Sequence, residues 1–475
     1  MSPLELPREL FDRVIEAVVV QNGVHEAMGN RLVCKAFDHS IILGISTSNS
    51  LEGDGAITSY LGMSLLTTYI TTRVLADRAC TLHISQAIRD VINQIFIHRP
   101  KDQSHDLRLR YTHSLCKATI DGYCDYRYGK GYQDLIFHIL LQPEMKSRAF
   151  PLIEHVLSAA IYLGIDDLAD KLIKERVAME YTYFGSPICN AARTGDVAKM
   201  RDLISYCPRV FDLYPGLAEF LVAATAGKLD ILEFLLNHEI GSSLYYPIRT
   251  PGGVDGILRA ARNGHSEVLE LLLQQPVHTP TGESKIEIEH PLGLQQRILW
   301  EAAIGGHKEL AREAIARGAD VNGAPISQDA TLEHDPTTYD TAVCLAAKYG
   351  RKDMLKFLLD EQGANLECTK CGPSGALKNA VKNGWEDTAM MLLERDVSVN
   401  AKITTMEDNP LVAAASRGQR ICVQLLLANN ASLVVDGKAV GRYAYHQAAT
   451  HNFTGVMSLL AERGVYPILA IPLDQ

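Results

Sequence analysis

Most of what would announce a catalyst, a membrane protein or a nucleic-acid binder is missing from this chain. No apolar run approaches 18 residues, which excludes an ordinary transmembrane helix. The opening Met1-Ser2-Pro3-Leu4-Glu5-Leu6-Pro7-Arg8-Glu9 has no signal-peptide core. Basic excess is absent too. The formal charge of −10 over 475 residues argues against a general nucleic-acid or anionic-membrane binder. No Gly-x4-Gly-Lys phosphate loop surrounds Tyr128-Gly129-Lys130-Gly131-Tyr132, and neither a Gly-x-Ser-x-Gly elbow nor a His-Glu-x-x-His pair occurs. The ten cysteines lack regular spacing. Cys368-x-x-Cys371 alone has metal or redox spacing, without two further ligands in pattern, so it reads as a turn. Cys189, Cys344 and Cys422 read as buried, reduced core residues of a cytosolic or nuclear protein. No cofactor is implied.

What the chain does have is a small-small-x-x-Gly signature running down its C-terminal two-thirds. It reads Ala191-Ala192-x-x-Gly195, Ala223-Ala224-x-x-Gly227, Ala260-Ala261-x-x-Gly264, Ala302-Ala303-x-x-Gly306, Ala346-Ala347-x-x-Gly350, Ala380-Val381-x-x-Gly384 and Ala414-Ala415-x-x-Gly418. An eighth copy, Ala448-Ala449-x-x-Asn452, uses the other residue that tolerates a left-handed backbone. Successive glycines lie 32, 37, 42, 44, 34 and 34 residues apart, and Asn452 follows after another 34.

Each part of the unit has a physical job. A hydroxyl or proline opens the first helix, as in Ser186-Pro187 and Asn409-Pro410. Paired alanines let two antiparallel helices approach, and glycine ends the first of them. The second helix carries an apolar stripe, as in Val268, Leu271 and Leu272, or Ile231, Phe234 and Leu235. That stripe packs on the next copy, so no single copy is stable alone.

These residues resemble the ankyrin family over about Gly185 to Gly464. The resemblance implies an all-α solenoid of about eight helix pairs over 185–466, joined by β-hairpin-like fingers, with a concave binding face. The Thr-Pro-Leu-His motif of the family is degraded, approached only by Asn409-Pro410-Leu411-Val412 and Ser186-Pro187-Ile188-Cys189. Three connections are long: about Glu239 to Asp255, Gln275 to Gly293 and Gly323 to Tyr339.

The two residues after each alanine pair close the first helix. Five of the eight pairs carry Lys or Arg: Arg193, Arg262, Lys348, Lys382 and Arg417. Cations there complement the helix dipole. They would also make a ladder for an acidic peptide. With Tyr349, Trp385 and His451 they are the candidate target-binding residues, because Trp, Tyr and Arg dominate interface hot spots. Trp300 reads as core, and Trp385 fits a structural or a binding role. His265 and His307 follow repeat glycines at the family's consensus position, which makes them structural.

The first third is different. Leu4 to Val18 reads as a capped helix with an apolar face at Leu10, Val14 and Val18, and a second helix carries Arg31-Leu32-Val33-Cys34-Lys35-Ala36-Phe37. Together they resemble an F-box over 1–45, although Val19 to Gly29 lacks the usual leucine-rich middle. The resemblance implies a surface made of Leu6, Pro7, Leu10, Val14, Ile15, Leu32, Val33, Cys34 and Phe37. Such a surface docks on a Skp-type adaptor of cullin–RING ubiquitin ligases. Residues 56–180 read as helical, with Ile84 to Ile97 amphipathic, Leu135 to Leu141 apolar, and Pro151 to Val177 as a divergent cap. There Ala159-Ala160 precedes Gly164 with one extra residue. Residues 467–475 form a tail.

The whole chain resembles fungal F-box/ankyrin proteins. That implies a non-enzymatic substrate receptor, with adaptor on the head and target on the concave face, and with neither nucleic acid nor membrane as partner. A scaffold without ubiquitin, or an atypical enzyme with a site in the groove, are the alternatives.

Overall fold

The computed structural model describes residues 63–75, 83–100, 104–126, 152–175, 177, 182–206, 217–237, 251–274, 293–323, 341–366, 374–400, 405–451 and 453–465. The F-box-like segment, Leu135 to Leu141 and the Cys368/Cys371 pair lie outside them, as does most of the three long connections. The chain divides into two compact units, 1–256 and 257–475.

Among the described residues of the first unit come first α1 (Met63–Leu75), α2 (His83–His98) and α3 (His105–Tyr126), which pack on one another. In α2 the apolar positions Ile84, Ile88, Val91, Ile92 and Ile95 all point inward, as expected for a one-sided helix. Next come the helix pairs α4 (Leu152–Tyr162) with α5 (Asp166–Lys174), α6 (Pro187–Thr194) with α7 (Val197–Tyr206), and α8 (Leu217–Ala226) with α9 (Leu229–Asn237). The first helices α4, α6 and α8 stack in a row, and the second helices α5, α7 and α9 stack beside them.

The pair α10 (Pro251–Asn263) and α11 (Ser266–Gln274) follows, and the second unit begins within α10. Helix therefore starts at Pro251, and the connection read as reaching Asp255 is shorter than the spacing suggested. The remaining pairs are α12 (Gly293–Gly305) with α13 (Lys308–Ala316), and α14 (Ala342–Lys348) with α15 (Lys352–Lys356). Then come α16 (Gly375–Lys382) with α17 (Glu386–Leu393), α18 (Pro410–Ala415) with α19 (Arg420–Ala428), and α20 (Val440–Thr450) with α21 (Thr454–Glu462). Helix α15 continues as a π-helical turn over Phe357–Glu361. First helices α12, α14, α16, α18 and α20 stack successively, as do second helices α15, α17, α19 and α21.

The signature explains this geometry. Both small residues of every pair are buried except Ala449, so helices close to within alanine contact. After the pair, glycine takes a left-handed backbone, with φ +87° at Gly195 and +67° at Gly350. The next amide then reaches five residues back to the first small residue. It does so in Asp196→Ala191 (3.2 Å), Lys228→Ala223 (2.9 Å), His265→Ala260 (3.0 Å), His307→Ala302 (2.9 Å), Arg351→Ala346 (2.8 Å), Trp385→Ala380 (3.0 Å), Gln419→Ala414 (3.0 Å) and Phe453→Ala448 (2.8 Å). The same bond, Ile165 N–H to the Ala160 carbonyl at 2.8 Å, closes α4. Its register is therefore Ala160-Ile161-x-x-Gly164, without the extra residue that the Ala159-Ala160 alignment required.

Helix openings follow the sequence in part. Asn409 accepts from the Leu411 and Val412 amides, and Thr341 accepts from Cys344. Ser186 makes no side-chain cap; Pro187 at the first turn suffices there. Among the described residues no extended strand forms. The finger connections show two antiparallel bridges, Thr182 with Gly185 and Val435 with Lys438. The second is a tight hairpin with positive φ at Asp436 (51°) and Gly437 (76°). Asparagines tie successive turns together: Asn322 Oδ1 accepts from the Asn365 amide, and Asn400 Oδ1 from Ser432, both at 2.7 Å.

Candidate partner-binding edge

Within the second unit, the row of turns between first and second helices brings the candidate residues into register. Three successive repeats reach back to their predecessors there through the residue that follows the glycine. His307 Nε2 lies 3.0 Å from the Arg262 carbonyl, which can only accept, so this nitrogen carries the proton. Arg351 Nε donates to the Ile304 carbonyl at 2.8 Å, and Trp385 Nε1 donates to the Lys348 carbonyl, also at 2.8 Å. The acceptor is each time the residue two before the preceding glycine, one of the carbonyls a helix end leaves open.

The same side chains lie across the glycines. A Cβ on Gly264 would fall 2.5 Å from the His307 ring, and one on Gly350 2.5 Å from the Trp385 indole. One on Gly384 would meet Gln419 Oε1 at 2.5 Å, and in the first unit one on Gly195 would meet Lys228 at 3.1 Å. Glycine is thus required twice over, by backbone sign and by the side chain lying on it.

This decides where Trp385 stands. Its N–H is taken up by the fold, which gives it a structural role, while its ring remains 43% exposed. Lys382 is exposed beside it, and Lys348 and Tyr349 are half-buried on the preceding repeat. Arg417 is half-buried one repeat further on. His451 closes the row, exposed and stacked on Phe453 with centroids 5.5 Å apart. Arg262 is 49% exposed, and its guanidinium is engaged by a bidentate pair with the less exposed Glu301, at 2.5 and 2.9 Å. Arg193, in the first unit, has a side chain 18% exposed and lies 3.9 Å from Asp121, which also accepts from the Tyr162 hydroxyl at 2.9 Å. Trp300 is buried, with its N–H on the Gly323 carbonyl at 3.3 Å. The adaptor-binding candidates Leu6, Pro7, Leu10, Val14, Ile15, Leu32, Val33, Cys34 and Phe37 lie outside the described residues.

A second polar assembly was not singled out by residue type. The 3-10 turn Met406–Asp408 before α18 is anchored on both sides: Lys378 of α16 donates to Asp408 at 3.1 Å, and Tyr443 of α20 donates to Glu407 at 2.5 Å. The Tyr443 hydroxyl leads the effects that hold the Glu407 carboxyl below its usual value. Thr405-x-x-Asp408, a capping box, is the sequence signal that could have located this turn.

Chemically, the edge offers cations, aromatic faces and already satisfied backbone, which suits non-covalent recognition. Among the described residues no group of His, Cys, Asp and Glu could hold a metal ion. No described helix is long and apolar enough to cross a membrane. Cys116, Cys189, Cys344 and Cys422 are buried and in no disulfide.

Comparison with known proteins agrees with the repeat geometry. The family model described as "Ankyrin repeats (3 copies)" matches residues 257–370, 299–403 and 377–469. The chain is 31% identical over 163 residues to the Ankyrin repeat and KH domain-containing protein mask-1 of Caenorhabditis elegans, covering 34% of this chain and 5% of that protein. It is 35% identical over 103 residues to the protein mask of Drosophila melanogaster, covering 22% and 2%. It is 27% identical over 197 residues to the Ankyrin repeat domain-containing protein SAT10 of Stachybotrys chartarum, covering 37% and 9%. The chain therefore spans less than a tenth of each of these relatives. The helix pairs of residues 257–469 are ankyrin repeats, a protein–protein interaction module.

Proposed function

We propose that this chain is a recognition subunit that holds a target protein on its ankyrin repeats and presents it to a cullin–RING ubiquitin ligase. The repeats carry the first half of this reading. Their turn edge sets the exposed Trp385 ring among Lys348, Tyr349, Lys382 and Arg417, residue types that anchor protein interfaces. The second half rests on the sequence alone. Leu6-Pro7, Leu10, Val14 and Ile15, then Leu32-Val33-Cys34 and Phe37, resemble the adaptor-docking face of an F-box. In such a protein no bond is made or broken; binding raises the effective concentration of target at the ligase.

The test is affinity purification of the full chain with mass spectrometry. A Skp-type adaptor should co-purify with the wild type and be lost in Leu10→Asp and Val33→Asp, while Trp385→Ala with Lys382→Glu should lose a different set of proteins. Failure of the wild type to retain an adaptor sinks the ligase reading. It leaves a scaffold that uses the same edge.

A further inference from the structure

In the first unit a helix of the chain itself lies across the row of turns. Asp121 of α3 accepts from the hydroxyl of Tyr162, the last residue of α4, at 2.9 Å. It also stands 3.9 Å from Arg193, near the end of α6, and α3 touches α8 as well. One helix thus crosses three successive first helices and sets a carboxylate beside the cation that follows an alanine pair. The pair is sheltered, with the Asp121 and Arg193 side chains 17% and 18% exposed.

The second unit fills the same position once. Arg262 follows its alanine pair as Arg193 does, and takes the Glu301 carboxylate from the next first helix. Lys348 and Lys382 hold that position further along. The place of Glu301, one residue before the next pair, is there Asn379 and Ala413, so no carboxylate comes from it. The edge is also open at this point: Lys382 is exposed, Lys348 is half-buried, and the Trp385 ring is 43% exposed. Its charge opposes that of the chain. Residues 348–353, 382–387 and 417–420 hold six cations and three carboxylates, a net +3 in a chain of −10. Packed helices lie about 8–10 Å apart, and seven residues of helix rise about 10.5 Å. Carboxylates two turns apart on one helix face therefore match cations on successive repeats.

We propose that the target segment recognised here is a helix with two carboxylates about two turns apart, laid across α14, α16 and α18 as α3 is laid across α4, α6 and α8. Its acids meet Lys348 and Lys382, and an apolar side chain between them covers the Trp385 ring. This rests on the reading that the repeats hold a target protein, and adds the chemistry of the segment held.

The full-length chain has two tryptophans, and Trp300 is buried, so acrylamide quenching reports on Trp385. The probe is an alanine-based helical peptide with Glu at i and i+7 and Leu at i+4, used at low salt. It should lower the quenching about twofold, and Lys348→Glu with Lys382→Glu should abolish the protection. Two control helices, one with both Glu replaced by Gln and one with the second Glu moved to i+5, should need about ten times the concentration. Protection by either control at the same concentration, protection that survives the double charge reversal, or none by the first peptide at about millimolar concentration overturns the proposal. If no peptide protects while Trp385→Ala with Lys382→Glu still loses its proteins in the purification, the target reading stands and the acidic helix falls.

Discussion

Gly350→Ala is the sharpest test of how one repeat completes another. Two costs are expected to add. Alanine must adopt φ near +67°, which costs about 1–2 kcal/mol for a residue with a β-carbon. Its Cβ would also fall 2.5 Å from the Trp385 ring, so the indole must leave its seat and give up the hydrogen bond to the Lys348 carbonyl. That bond contributes about 1 kcal/mol, and lost ring contacts add a similar amount. The total is about 3–4 kcal/mol. Gly363 supplies the control. It has φ +65° but nothing within 4 Å of the place a methyl would take, so Gly363→Ala should cost only the backbone part. In a Trp385→Ala background the cost of Gly350→Ala should likewise fall to about 1–2 kcal/mol. Repeat arrays open in parts, so local opening is best read by amide exchange across α14 to α17, supported by urea unfolding. Equal costs at Gly350 and Gly363, or a Gly350→Ala cost indifferent to Trp385, would refute the reasoning.

Other outcomes follow from the same structure. Burial pushes the His155 imidazole, stacked on Tyr183, down to about 4 from 6.5. The unfolded chain therefore takes up a proton between pH 6.5 and 4 that the folded chain refuses. Stability should fall by up to about 3 kcal/mol across that window and level off below it; urea curves for wild type and His155→Gln that stay parallel through it would reject the assignment. Tyr443→Phe should raise the Glu407 midpoint in an NMR titration, since the phenol is the leading cause of its depression, with under about 1 kcal/mol lost at this exposed site. Burial pushes the Cys116 and Cys422 thiols up to about 12, so both should resist alkylation at pH 8 until urea unfolds the chain.

The helix pairs were legible because their determinants are local. Small residues at a fixed distance from a glycine specify both the close contact and the left-handed stop, and the amide that reaches back five residues recurs wherever that spacing occurs. The α4 register was harder, because Ala159, Ala160 and Ile161 are all small enough or apolar enough to sit at the contact. Only the backbone bond from Ile165 picks Ala160 as the first of the pair. The fate of the cations was illegible for another reason. Arg193 and Arg262 look alike in sequence to Lys348 and Lys382, but their partners Asp121 and Glu301 lie 72 and 39 residues away. Pairing at that range depends on the stacking of whole helices, which no local pattern encodes.

The reach of His307, Arg351 and Trp385 back onto the preceding repeat gives the array a direction. Cutting it from the C-terminal side strands an acceptor, such as the Lys348 carbonyl, together with a bare glycine. Cutting from the other side only frees a donor that water can satisfy. The natural unit for exchange between such proteins therefore does not begin at the first helix. A donor segment should carry its glycine and the side chain that will lie on it; because Gly384, under Gln419, comes one residue before the Trp385 that lies on Gly350, a cut just after Trp385 parts one couple and a cut between Gly384 and Trp385 parts two.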